Sequence, residues 1–196
     1  IMKHGQDLFD ITSAVLLAMG RVIEEQRPDL VMVHGDTTTA MATSLAAFYL
    51  QIPVGHVEAG LRTYDIRSPF PEEINRQFIS RVADYHFAPT ELARENLLAE
   101  DVVDQQIIVS GNTVIDALLS TVEKARKVSF SDGLLQSLPF LARDDLPRIV
   151  LVTGHRRENF GSGFEEICQA LNDLAEKYPD VQIIYPVHLN PNVQEP

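Results

Sequence analysis

Short, almost uninterrupted runs of β-type apolar residues alternate along the chain with segments whose apolar residues recur at helical spacing. No other feature constrains the fold as much. The pattern predicts strands near Leu30–His34, Pro53–Val57, Tyr85–Ala88 and Gln106–Ser110, and helices near Asp7–Glu25, Thr38–Leu50, Glu72–Val82 and Thr90–Ala99. Runs such as LVMVH and IIVS lack in–out alternation, so a parallel sheet covered on both faces is expected, as in a Rossmann-like lobe. A longer helix, Thr113–Lys127, then leads into a polar stretch with SDG at 131–133 and RDDLP at 143–147. Strand Arg148–Thr153, helix Phe164–Tyr178 and strand Val181–Val187 follow. The expected division is a first lobe over 1–112, and over 113–196 a connecting helix and the start of a second Rossmann-like lobe. Two strands and a helix do not bury an independent core, and Ile1 opens almost directly onto a helix. Both lobes are therefore expected to be truncated.

Composition narrows the partners. The chain has 196 residues, 45% of them hydrophobic and 22% charged, which suits a packed globular protein. A formal net charge of −12 disfavours nucleic acid and anionic membrane, both of which need a broad basic surface. A single cysteine, Cys168, cannot form an intrachain disulfide, and a cytoplasmic location is expected. No apolar run approaches the roughly 18 residues that span a bilayer.

Ligands of open parallel α/β sheets bind beyond the carboxyl ends of the strands, so polar residues just after each strand are the candidates. They are His34 and Asp36 in VHGDTTT, His56 and Glu58 in GHVEAGLRT, His155, Arg156 and Arg157 in TGHRREN, and His188 in PVHLNP. Exposed strand ends are polar for ordinary reasons, but four of the six histidines fall at such ends. Thr37, Thr38 and Thr39 open a helix, either as caps or as an anion seat. Glu72 and Glu73 open another, where acids suit the helix dipole whether or not they react. The spacing does not say which of the two is structural. HRRENFGSG places two arginines and two glycines between a strand and a helix, which suits a pyrophosphate, although GSG alone is a weak signal. The i,i+2 pairs His34/Asp36 and His56/Glu58 offer metal-type ligands, but no HExxH motif or cysteine cluster accompanies them, and GxSxG is absent.

Taken together and in this order, VHGDTTT, HVEAGLRT, PFPEEINR, SGNTVIDAL, TGHRREN and PVHLNP resemble the non-hydrolysing UDP-N-acetylglucosamine 2-epimerases. The resemblance runs through essentially the whole chain. It implies two Rossmann-like lobes of GT-B type with the active site between them, and interconversion of UDP-GlcNAc and UDP-ManNAc through 2-acetamidoglucal, without a cofactor or metal. By resemblance the catalytic acids fall on Asp36, Glu58 and Glu72, with His155 at the departing diphosphate. Substrate contacts fall on Arg156 and His188, beside Thr37 and Thr38. The resemblance further implies a homodimer and, in some members, a second UDP-GlcNAc as activator near Arg156, His188 and Glu72. A hydrolysing relative releasing ManNAc, a GT-B glycosyltransferase and a non-catalytic binding module are the competing readings.

Overall fold

The computed structural model describes residues 5–153 and 162–187. Two compact units divide between Glu123 and Lys124. The first holds α1 (Leu8–Gln26), β1 (Val31–His34), α2 (Thr38–Tyr49), β2 (Val54–Val57), α3 (Glu72–Val82), β3 (Tyr85–Ala88), α4 (Glu91–Ala99), β4 (Ile107–Val109) and most of α5 (Thr113–Ala125). Local chemistry sets the helix ends. Asp7 closes a reciprocal capping box with Asp10 at the start of α1, and the Thr37 and Thr90 hydroxyls cap α2 and α4.

The four strands lie in the order β1-β2-β3-β4, all parallel. Every crossover steps the same way along the sheet, and right-handed connections then put the intervening helices on one face. Val33 and Val54 meet Ile23 of α1, Ala40, Ala46 and Ala47 of α2, and Ile79 of α3 in one core cluster. Ala59, Ala88, Ala93, Leu97 and Ile107 form a second, under α4. The expectation of two covered faces is corrected here: on the other face Met32, Tyr85 and Ile108 remain about half exposed among the described residues.

The second unit carries α6 (Asp132–Ser137), β5 (Arg148–Leu151), α7 (Ser162–Lys177) and β6 (Val181–Ile184). Its two strands pair in parallel. α6 and a 3₁₀ turn at Pro139–Ala142 occupy the stretch where the sequence pattern pauses. Ser131 starts α6 by accepting a hydrogen bond from the Leu134 amide, a cap too short-ranged to show as periodicity. No helix among the described residues is long and apolar enough to cross a membrane.

Candidate active site at the carboxyl edge of the sheet

β1 leaves the sheet through Gly35, at φ 71°, whose N–H donates to the Val57 carbonyl at 3.0 Å. That bond carries the β1–β2 ladder one step past the strand and delivers Asp36 to its carboxyl edge. Thr37 then caps α2, its Oγ1 accepting from the Ala40 amide at 3.2 Å, so the capping role is realised. Thr38 is the first residue of that helix and is half-buried. Glu58 follows β2 in the left-handed region, φ 67°, a conformation that costs a non-glycine residue about 1 kcal/mol. Its Oε2 lies 3.2 Å from His34 Nε2, and a Cβ added at Gly35 would meet that oxygen at 3.6 Å.

α3 supplies the rest. Its first residue, Glu72, is half-buried, and its side chain makes no hydrogen bond among the described residues. Glu73 is fully buried and bonded on both oxygens. The amides of Thr63 (3.1 Å) and Tyr64 (3.2 Å), Gln77 Nε2 (3.0 Å) and Arg76 Nη1 (3.0 Å) all donate to it. Burial opposes its charge, but the hydrogen bonds from Gln77, Thr63 and Tyr64 and the Arg76 cation outweigh burial and hold the carboxyl below its usual range. Of the two adjacent glutamates, Glu73 is the structural one. Arg76 turns its Nε and Nη2 to Asp36 Oδ2, each at 2.8 Å, and Asn75 Nδ2 donates to the Asp36 carbonyl at 2.9 Å. The helix that begins with Glu72 thus grips Asp36.

The loop from β2 to α3 is tied down from below. Arg62, its side chain fully buried, donates to both carboxylate oxygens of Glu100, at 2.6 and 2.8 Å, and to Ser80. Gly60, at φ 87°, accepts a bond from Asn96, and a Cβ there would run into the Ala93 carbonyl.

His56 is not a strand-end ligand. It is fully buried on the helix-covered face, its Nε2–H donating to the Gly35 carbonyl at 2.8 Å, and desolvation, reinforced by the neighbouring His86 and Arg62, lowers its pKa to about 4. His86, its neighbour in register, is also buried with a lowered pKa, mainly through desolvation. The Nδ1 atoms of both lack a partner among the described residues. The His/acid pairs seen in sequence therefore do not converge as pairs, and no group of three or more metal-type ligands occurs among the described residues. His155, Arg156, Arg157 and His188 lie outside the described residues.

Arg76 was missed by the sequence reading. Its i,i+3 spacing from Glu73 was legible, but its reach across forty positions to Asp36 had no local signal.

The family model for UDP-N-acetylglucosamine 2-epimerase matches residues 1–196. The UDP-N-acetylglucosamine 2-epimerase of Escherichia coli K12 is 56% identical over 200 residues, covering 100% of this chain and 52% of that protein. That of Yersinia pestis is 55% identical, with the same coverage of each. The crystal structure of the Neisseria meningitidis UDP-GlcNAc 2-epimerase bound to UDP-GlcNAc superposes with a TM-score of 0.92 at 48% identity, over 100% of this chain and 52% of that one. The Methanocaldococcus jannaschii enzyme, in complex with UDP-GlcNAc and UDP, gives 0.79 at 34% identity, over 97% and 50%. These neighbours have the GT-B fold, in keeping with the parallel α/β architecture described above. The chain spans about half the length of the curated relatives it matches. With a match from first residue to last, and with the acids of its motifs gathered at one sheet edge, this chain belongs to the UDP-N-acetylglucosamine 2-epimerase family.

Proposed function

We propose that the protein interconverts UDP-GlcNAc and UDP-ManNAc without net hydrolysis, by eliminating UDP and adding it back. A base removes the C2 proton while the C1–O bond breaks, and the bonding pair departs with UDP. The C1=C2 double bond of 2-acetamidoglucal results. The proton at C2 is not next to a ketone, so it becomes acidic only as positive charge grows at C1. UDP then re-adds at C1 while an acid delivers a proton to the opposite face of C2, which inverts that centre. Two acid/base groups must flank the ring.

The observation that carries this reading is the pair of carboxylates at the carboxyl ends of adjacent strands, Asp36 held by Arg76 and Glu58 beside His34, with Glu72 on the helix that grips Asp36. Asp36, Glu58 and Glu72 are the proposed acid/base residues. His155 and Arg156 are assigned to the leaving diphosphate, and His188, Thr37 and Thr38 to substrate binding. The working protein is proposed as a cytoplasmic homodimer that supplies ManNAc-type sugar for bacterial surface polysaccharide. A second UDP-GlcNAc is proposed as activator through Arg156, His188 and Glu72.

The test is to incubate the full-length protein, with the 196-residue chain alongside, with UDP-GlcNAc in D₂O and follow the sugar protons by NMR. UDP-ManNAc carrying deuterium at C2 is expected. Free ManNAc would move the assignment to a hydrolysing enzyme. Absence of both turnover and exchange at C2 in the full-length protein would sink it.

A further inference from the structure

We infer that Arg76, braced by Glu73, is a positioning residue that sets the orientation of Asp36 and its separation from Glu72, an inference that rests on the epimerase reading above. The geometry is specific. Nε and Nη2 converge on a single carboxylate oxygen, Oδ2, whereas Oδ1 has no hydrogen-bond partner among the described residues. Nη1 points the other way, to Glu73 Oε2 at 3.0 Å. The guanidinium plane is therefore pinned at both ends, and a planar fork held at two carboxylates has little freedom to rotate. Asn75 fixes the Asp36 backbone from the same helix turn. Glu73 is itself held by two loop amides and Gln77, so the clamp is anchored in the folded core rather than in solvent.

The functional consequence follows from where Glu72 sits. Glu72 is four residues before Arg76 on α3, so one rigid helix carries one proposed acid/base group and holds another. Proton removal and return on opposite faces of a sugar ring need two carboxyl groups at a set distance. A small misplacement of one costs rate without costing affinity for the nucleotide. Lysine has a single nitrogen and no plane, and it cannot reproduce contacts to Asp36 and Glu73 at the same time.

The experiment uses the full-length enzyme carrying Arg76→Lys or Arg76→Gln, beside wild type, measuring kcat, KM for UDP-GlcNAc, the C2 exchange rate in D₂O and the thermal midpoint. Arg76→Lys should lower kcat and C2 exchange together by about 30-fold with KM within about threefold of wild type, as expected for lost orientation rather than lost binding. Arg76→Gln should lower kcat further, by about 300-fold, at the same KM. Wild-type kcat in Arg76→Lys, or a rise in KM at unchanged kcat, overturns the inference. So does a loss of activity that merely tracks the unfolded fraction in both variants. A wild-type enzyme with no epimerisation and no exchange would instead overturn the functional reading, so the two failures are distinguishable.

Discussion

His34 and His56 each stand two residues before an acid, Asp36 and Glu58, at the end of neighbouring parallel strands, and their surroundings are opposite. His34 is 59% exposed and faces Glu58 across the carboxyl edge. His56 is fully buried under the helices and neutral, bonded to a backbone carbonyl. The cause is register. β1 and β2 pair Val33 with His56 and His34 with Val57, so the two motifs are offset by one residue, and an offset of one puts side chains on opposite faces of a sheet. The edge of the sheet thus carries exposed polar side chains, and the layer directly behind it holds the edge in place.

The largest expected effects test that division on the two adjacent glutamates. Glu72→Gln should lower the proposed epimerisation rate about 10³-fold, the scale of a lost acid/base group, with the unfolding midpoint unchanged. Glu73→Ala should do the reverse first, lowering the unfolding free energy by about 3 kcal/mol because the half-buried Arg76 loses a charged partner and two loop amides lose their acceptor. Denaturant titrations run beside the kinetic assay separate the two. If Glu72→Gln unfolds the protein, or Glu73→Ala leaves stability intact, the comparison fails.

Next comes pH. His56 has a folded pKa lowered from 6.5 to about 4, so above pH 6.5 it is neutral in both states and its full contribution is present. As pH falls below 6.5 the unfolded chain takes up a proton that the folded protein refuses, and stability is lost until the pH reaches the folded value near 4. His56 alone should remove about 3 kcal/mol across that window, at about 1.4 kcal/mol per pKa unit, and His86 acts in the same direction. Urea unfolding of wild type and His56→Gln at steps between pH 7 and pH 4 checks it. The variant should show a flatter slope, and parallel slopes would refute the buried-neutral assignment.

The smallest effect is expected at His34. Being exposed, it contributes little to stability, and His34→Asn should change the unfolding free energy by less than about 0.5 kcal/mol. Loss of its contact with Glu58 should lower kcat about tenfold, the size expected when a reacting group is less well held. A drop as large as that of Glu72→Gln would make His34 a reacting group rather than a support.

Much of this was legible from the chain. Short, largely apolar runs marked the strands to within a few residues, because a parallel sheet packed under helices draws apolar residues along its strands, and the threonine cap of α2 follows from orphan amides at the helix start. Asp36 and Glu58 were legible too, since parallel strands deliver whatever follows them to one edge. The sequence by itself therefore determined the order of helices and strands in the first unit, the sheet direction and the edge at which acids collect, all of which depend on local spacing. Tertiary structure alone decided that His56 faces inward, that the Glu73 side chain is bound on both oxygens while that of Glu72 has no partner among the described residues, and that Arg76 closes on Asp36 from forty residues away. Those outcomes depend on strand register and on which helix lands beside which loop, and the interactions that settle them form only when distant parts of the chain are packed together.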